Sequence, residues 1–189
     1  MKTRDMVLAA LFAALACVAA IIVRFGGAAM VPFSLLPLVV FLAGSLLGAR
    51  TGAMSMVVYI LLGLTGLPVF AAAPFGGFTY VLKPTFGFLL GFAGGAYITG
   101  AMLRQNAQQS FLRIILAMLA GLVVIYLVGL PYLYAMVNFY LGKAMPPAQV
   151  IKVAFIPYIG FDLIKLGIAA VIAKGVGNRL ASARKEGGL

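Results

Sequence analysis

Long apolar runs, separated by short breaks of glycine, proline or charged residues, make up most of this sequence. Hydrophobic residues form 65% of the 189-residue chain and charged residues only 9%, whereas soluble domains carry about 25% charged residues. The runs lack the strict alternation of polar and apolar residues that is typical of outer-membrane barrels. The pattern therefore predicts an all-α integral membrane protein and excludes a soluble domain.

The apolar runs predict six transmembrane helices in a single domain that covers residues 1–189. The first run follows a short charged start and is longer than the apolar core of a signal peptide, so we interpret it as a helix. Pro37 is expected to interrupt the second helix, residues 49–52 to form a turn, and residues 178–189 to form a basic tail. The predicted helices cover residues 6–23, 33–48, 53–64, 80–103, 114–137 and 150–176.

The distribution of basic residues predicts the orientation, because cytoplasmic ends of membrane helices carry an excess of Lys and Arg. With the N-terminus inside, three basic residues fall on outer segments: Arg24, Lys143 and Lys152. A larger set falls on inner segments: Lys2, Arg4, Arg50, Arg104, Arg113, Lys174, Arg179, Arg184 and Lys185. This excess predicts that both termini are cytoplasmic and that the uncharged segment 64–80 lies on the outer side.

The composition excludes several classes of function. The chain has no His, one Cys and three acidic residues, which argues against a metal site and a His-dependent catalytic triad. It also has no phosphate-binding loop for ATP. Its net charge of +11 is spread over helix ends, which suits lipid head groups and topology better than nucleic acid. We therefore expect no catalytic residue, no cofactor and no nucleic-acid partner.

Two opposite charges, Asp162 and Lys165, interrupt the last apolar run. Residues three apart on a helix project from nearly the same side, so the two side chains are expected to lie together. Each charge costs about 2.5–3.5 kcal/mol at the centre of a membrane helix, unless it is paired or faces a polar cavity. One interpretation is an ion pair that only ties the helix to its neighbours. The other is a charged site for a small polar ligand.

Small residues form two further patterns. On the first helix a stripe of alanines that includes Ala10 and Ala14 permits close approach of another helix, either within this chain or from a separate subunit. On the fourth helix Gly87, Gly91 and Gly95 form a ridge for close helix packing. The segment 64–80 is apolar and rich in Gly and Pro, so we expect it to fold inward as a lid or cavity wall.

Four segments of the sequence resemble the BioY family, the biotin-specific S components of energy-coupling-factor (ECF) transporters. They occur in matching order along nearly the whole chain: Val31-Pro-Phe-Ser-Leu-Leu-Pro, Gly63-Leu-Thr-Gly-Leu-Pro-Val-Phe-Ala, Lys83-Pro-Thr-Phe-Gly-Phe and Pro157-Tyr-Ile-Gly-Phe-Asp-Leu-Ile-Lys. Leu36 stands where the family often has Gln. Lys83 and Phe86 also depart from its usual Gly-Pro-Thr-Gly-Gly-Tyr motif, which leaves a biotin precursor open as an alternative ligand.

The resemblance implies a six-helix S-component fold in the plasma membrane of a prokaryote, with biotin bound near the outer face. It implies as partners a transmembrane coupling subunit, which the small residues around Ala10 and Ala14 would contact, and two cytoplasmic ATPase subunits. It also implies that Asp162 and Lys165 contact biotin. A stand-alone secondary carrier for biotin or a related vitamin is the alternative function, and a membrane enzyme lacks a nucleophile–base pair.

The chemistry of biotin suits the two charged residues. Its ureido group offers two N–H donors and one carbonyl acceptor, so Asp162 is suited to accept from the ureido N–H groups. Lys165 is suited to donate either to the ureido oxygen or to the carboxylate of the valerate tail. Lys83 is a second candidate for that carboxylate, or else a lysine that reaches to the membrane interface. Candidate wall residues are aromatic: Phe33, Phe70, Phe75, Phe78, Tyr80 and Tyr158.

Overall fold

The computed structural model describes residues 2–25, 34–103 and 109–186, with side chains through Arg179. Within these ranges the chain contains helices and connecting segments but no strand, which confirms the all-α prediction. The seven α-helices are α1 (Thr3–Phe25), α2 (Leu36–Leu47), α3 (Ala49–Leu64), α4 (Phe86–Met102), α5 (Phe111–Ala135), α6 (Pro147–Ala154) and α7 (Ile156–Glu186). A 3-10 helix, Phe78–Leu82, precedes α4, and a π-helical turn, Met136–Tyr140, follows α5.

Among the described residues, three helical segments are long and apolar enough to cross a bilayer: Thr3–Phe25, Phe111–Tyr140 and Ile156–Arg179. The helices α2, α3 and α4 are also apolar but shorter. This distribution agrees with an integral membrane protein. The count of six spans and the cytoplasmic placement of both termini stay predictions.

The shorter helix α2 lies at the centre of the bundle. It packs against α1, α3, α4, α5 and α7. In addition, α1 packs against α3, and α7 packs against α5 and α6. This position explains why α2 is apolar around its circumference, since a helix that is covered on all sides has no polar face. Its buried side chains include Val40 and Phe41, both with no exposed surface.

The glycine ridge on α4 allows the close packing of α4 against α5. A Cβ atom at Gly91 would lie 2.8 Å from the carbonyl oxygen of Ile125, and one at Gly95 would lie 2.9 Å from that of Gly121. At Gly87 an added Cβ would lie 2.3 Å from the Cβ of Tyr132. All three positions therefore require glycine for this helix separation, which confirms the predicted ridge.

The predicted boundary between the second and third helices was wrong by one turn. The chain reverses at Gly48, whose φ of 82° is in the left-handed region that favours glycine, and residues 49–52 form the first turn of α3 rather than a loop. Pro37 does not interrupt α2 either. It lies in the first helical turn, where the missing N–H costs no hydrogen bond.

The predicted start of the fourth helix at residue 80 was also wrong. Lys83 has an extended backbone, with φ −75° and ψ 133°, because the ring of Pro84 disfavours the helical conformation of the residue before it. The chain therefore forms a short 3-10 helix first, and α4 begins at Phe86.

The last predicted helix, 150–176, consists of two helices that meet at Phe155. Pro157 has no N–H to donate to the carbonyl of Val153, so α6 ends at Ala154 and α7 begins with Pro157 in its first turn. At its other end the backbone of α7 continues to Glu186, although the sequence analysis predicted a tail from residue 178 onward. The final turns contain Ala, Leu, Arg and Lys, which are good helix formers.

Candidate functional site

Asp162 and Lys165 lie on α7, about 9 Å and about 14 Å along the axis from its first residue at 1.5 Å per residue. The ammonium nitrogen of Lys165 is 2.7 Å from Oδ1 of Asp162, so the two form a hydrogen-bonded ion pair. The residues are only 7% and 6% exposed. The prediction that the two side chains lie together is confirmed.

A third polar group, the phenol of Tyr126 on α5, completes this site and was missed in the sequence analysis. Its hydroxyl donates to Oδ2 of Asp162 at 2.6 Å. The signal that pointed to it was a tyrosine in the middle of an apolar span, because a buried phenol usually finds a hydrogen-bond partner. The sequence did not indicate which residue that partner was.

Two phenylalanines hold the Tyr126 ring. Phe88 on α4 and Phe155, between α6 and α7, meet it edge to face, with ring centroids 6.0 and 4.8 Å away. The outer side of the same ring lines an open apolar groove of about 370 Å³ between α5 and α7. Tyr126 therefore lies between this apolar groove and the buried charged pair.

The predicted wall residues Phe70 and Tyr80 are buried in a second aromatic cluster. Phe70 has no exposed surface and lies against Gly63, where an added Cβ would come within 2.1 Å of the ring. Its centroid is 4.2 Å from that of Tyr80. Burial raises the pKa of the Tyr80 phenol, so this ring stays neutral. Tyr59 also meets the ring of Phe70, and from Tyr80 the cluster continues to Phe86 and then to Tyr132.

The segment 64–80 is also fixed from the side of α1. The guanidinium of Arg24 lies 3.8 Å from the ring centroid of Phe75 and donates to the carbonyl of Pro68 at 3.5 Å. Within the segment, Phe75 has a positive φ of 66° and its carbonyl accepts from the N–H of Phe70. This arrangement agrees with the expectation that the uncharged segment folds back onto the bundle.

The remaining predicted site residues lie in varied surroundings. Phe78 is 78% exposed, Lys83 is exposed and Tyr158 is partly buried. Phe33 lies outside the described residues. Among the described contacts, none joins Lys83 to Asp162 or Lys165. The structure thus brings Asp162 and Lys165 together, and among the described residues no hydrogen bond or ion pair joins Phe78, Lys83 or Tyr158 to them.

The alanine stripe of α1 divides into two faces. Ala9, Ala13 and residues further along the helix are buried against the chain's own core, whereas Ala10 and Ala14 are exposed. The buried face accounts for packing of α1 within the chain. The exposed face leaves Ala10 and Ala14 accessible, and their role as docking residues stays a prediction.

Both charged groups of the site have hydrogen-bonding capacity that no described residue uses. A carboxylate has about four lone-pair sites and an ammonium three N–H groups. The Asp162 carboxylate accepts one hydrogen bond on each oxygen, and one N–H of Lys165 donates to it. A ligand that carries both a donor and an acceptor within a few ångströms therefore suits this pair.

Comparisons with known proteins found a matching family and similar sequences. The family model "BioY family" matches residues 1–182. The chain is 41% identical to the "Probable biotin transporter BioY" of Lysinibacillus sphaericus over 183 residues, 97% of this chain and 91% of that protein. It is 39% identical to the "Biotin transporter BioY" of Thermotoga maritima over 171 residues, 90% of this chain and 94% of that protein.

A solved structure has the same fold. The crystal structure, at 2.1 Å, of the S-component for biotin from an ECF-type ABC transporter superposes with a TM-score of 0.72, and the match covers 93% of this chain and 94% of that one. Its sequence identity is 19%, so this likeness concerns the fold and confirms the predicted S-component architecture. Together with the family match over residues 1–182, it shows that the chain belongs to the BioY family.

Proposed function

We propose that this protein is the biotin-binding S component of an ECF-type transporter in the cell membrane. The observation that carries the proposal is the buried pair of Asp162 and Lys165, in which one carboxylate and one ammonium are hydrogen-bonded yet retain free capacity. The names of the relatives, biotin transporters over nine-tenths of this chain, support biotin as the ligand.

The ureido ring of biotin matches the pair chemically. A ureido N–H donates to the Asp162 carboxylate, and Lys165 donates to the ureido oxygen. Because the pair is neutral as a whole, it suits an uncharged ring that both donates and accepts. The apolar thioether ring then lies against the surrounding hydrophobic side chains, among which Phe70, Phe75, Tyr80 and Tyr158 are candidates.

The carboxylate of the valerate tail needs a separate partner in this arrangement, and Lys83 is our candidate. Its side chain is exposed, and it lies on the connection that leads into α4. If Lys83 binds the tail, Lys83→Met weakens biotin binding but leaves the binding of biotin methyl ester unchanged. An equal loss for both ligands assigns Lys83 a role other than carboxylate binding.

Access to the pair requires the packing around it to open, since both residues are less than a tenth exposed. We propose that the segment 64–80 acts as a lid, with the contacts of Phe70 and Arg24 holding its closed form. Gly66 and Gly77 have positive φ values of 105° and 96°, so they are suited to the backbone changes that opening demands.

Energy for transport is expected to come from other subunits. We propose a transmembrane coupling subunit, docked on the exposed face that contains Ala10 and Ala14, and two cytoplasmic ATPase subunits. No ATP-binding loop is present in this sequence, so ATP hydrolysis is assigned to those partners.

The decisive experiment measures binding of labelled biotin to the purified chain in lipid nanodiscs, with unlabelled biotin and desthiobiotin as competitors. Saturable binding that both competitors displace supports the proposal, and no binding refutes it. Co-purification with ATPase subunits supports an ECF assembly. Biotin uptake by vesicles that contain this chain alone favours a stand-alone carrier instead.

A further inference from the structure

Both oxygens of the Asp162 carboxylate have a donor from the protein, and the two donors come from different helices. Lys165, on the same helix, donates to Oδ1 at 2.7 Å. Tyr126, on α5, donates to Oδ2 at 2.6 Å. The carboxylate is therefore held at two points, which fixes the rotation of its plane about the last side-chain bond.

The phenol can fix that plane because its own ring is held by packing. Phe88 and Phe155 meet the ring at interplanar angles of 87° and 76°, from α4 and from the junction of α6 and α7. A tyrosine has few rotatable bonds, so a ring that is confined between two others points its hydroxyl in one direction. The direction of the hydroxyl is thus determined by three elements of the fold.

Without this hydroxyl the carboxylate would have one described donor left, Lys165. An ammonium attracts both oxygens, and the freed carboxylate would rotate until both oxygens share Lys165. The Asp162–Lys165 pair would then be closer and less available to an outside donor. The Tyr126 hydroxyl opposes this rotation and keeps one oxygen turned away from the ammonium.

We infer that Tyr126 is a positioning residue for ligand binding, which orients the Asp162 carboxylate toward an N–H donor of the ligand's cyclic urea without touching the ligand itself. This inference rests on the proposed function, because it assumes that Asp162 accepts from the ureido group. It assigns to α5 a part in ligand recognition that the motif on α7 alone does not include.

The test is a double-mutant cycle on biotin affinity in nanodiscs, with Tyr126→Phe, Asp162→Asn and the combination of the two. Tyr126→Phe should weaken biotin binding about 5- to 10-fold, the usual effect of one lost hydrogen bond. It should have no further effect in the Asp162→Asn background, because its action passes through that carboxylate. The matched control is Tyr134→Phe, which removes the hydroxyl of another tyrosine of α5. Tyr134 packs against a separate apolar cluster that includes Leu133 and Val150, so this variant should bind biotin as the wild type does.

Desthiobiotin gives a second readout, since it keeps the ureido group and lacks the thioether ring. A positioning role predicts that Tyr126→Phe lowers the affinity for biotin and for desthiobiotin by the same factor, whereas a general packing defect would change the ratio of the two affinities. If Tyr126→Phe does not fold, Phe155→Leu takes its place. This variant removes one of the rings that hold Tyr126 and should give a smaller loss of biotin affinity. The loss should again be absent in the Asp162→Asn background.

Each outcome bears on the inference. Unchanged affinity in Tyr126→Phe, or the same loss with and without Asp162, overturns the positioning role while biotin binding by the wild type still stands. Failure of the wild-type protein to bind biotin overturns the proposed function, and the inference with it. The inference is supported if Tyr126→Phe lowers biotin affinity in the wild-type background and has no further effect in the Asp162→Asn background.

Discussion

Replacement of Asp162 by Asn removes a charge from the site with almost no change in side-chain size. The carboxylate has hydrogen bonds to Lys165 and Tyr126. If a ureido N–H is a further donor to it, the variant loses a hydrogen bond to a charged group, about 1.5–3 kcal/mol. We therefore expect biotin affinity to fall by about 10- to 150-fold.

The same substitution should also destabilise the fold, for a reason unrelated to the ligand. Lys165 is 6% exposed, and without Asp162 its ammonium would be buried with no counter-ion. Removal of one partner of a buried ion pair costs about 3–5 kcal/mol. Lys165→Met should cost a similar amount, because it leaves the carboxylate unpaired. The double variant removes both charges and should unfold at a higher temperature than either single variant.

These two expectations separate a binding site from a structural ion pair. Thermal unfolding and biotin affinity are measured in one detergent for the wild type, both single variants and the double variant. A binding site predicts that the double variant recovers stability but not affinity. Recovery of both would return the pair to a structural role, and wild-type affinity in folded Asp162→Asn would refute the reasoning outright.

Three further predictions concern other parts of the chain. Ala10→Leu and Ala14→Leu should leave biotin binding unchanged and weaken co-purification with a coupling subunit, because Ala10 and Ala14 are exposed. Normal assembly of these variants would show that the coupling subunit docks on another surface. Gly91→Ala should lower stability by about 1–3 kcal/mol in unfolding experiments, since its Cβ would overlap a carbonyl of α5. Gly167→Ala, with open space around it, is the control and should not destabilise the protein. In a Cys17→Ser background, which has no other cysteine, Thr79→Cys should react with an impermeant thiol reagent from outside, and saturating biotin should slow the reaction; equal rates would argue against the lid.

The parts of the fold that the sequence predicted correctly depend on local spacing. Asp162 and Lys165 are three residues apart on one helix, so their meeting follows from helix geometry alone. The ridge of Gly87, Gly91 and Gly95 likewise follows from a four-residue spacing. Neither prediction needed any knowledge of which helices are neighbours.

The contact between Tyr126 and Asp162 was not predictable in this way. The two residues are 36 positions apart, and their meeting depends on the packing of α5 against α7. The burial of Phe70 has the same cause, because its place against Gly63 depends on how the connecting segment folds back on α3. A hydrophobic pattern shows that a residue is apolar, but not which cavity it fills.

Prolines account for several of the differences between the predicted and the observed helices. We expected Pro37 to interrupt one helix and placed Pro157 inside another, yet both lie in the first turn of a helix. A proline within an apolar run fits either the interior of a kinked helix or the start of a fresh helix. The latter costs no backbone hydrogen bond, and this chain uses it at both positions.

The energetics of the charged pair favour the proposal that Asp162 and Lys165 bind a ligand. Two apolar residues of similar volume would hold α7 against its neighbours without desolvating any charge, and such replacements are often neutral or stabilising by about 1–4 kcal/mol. A structural role therefore gives no reason to place Asp162 and Lys165 in a membrane helix at 7% and 6% exposure. The hydrogen-bonding capacity that remains on both groups is the property that apolar residues lack. Tyr126 strengthens this argument, since a second element of the fold holds the carboxylate in a fixed direction instead of leaving it to Lys165 alone.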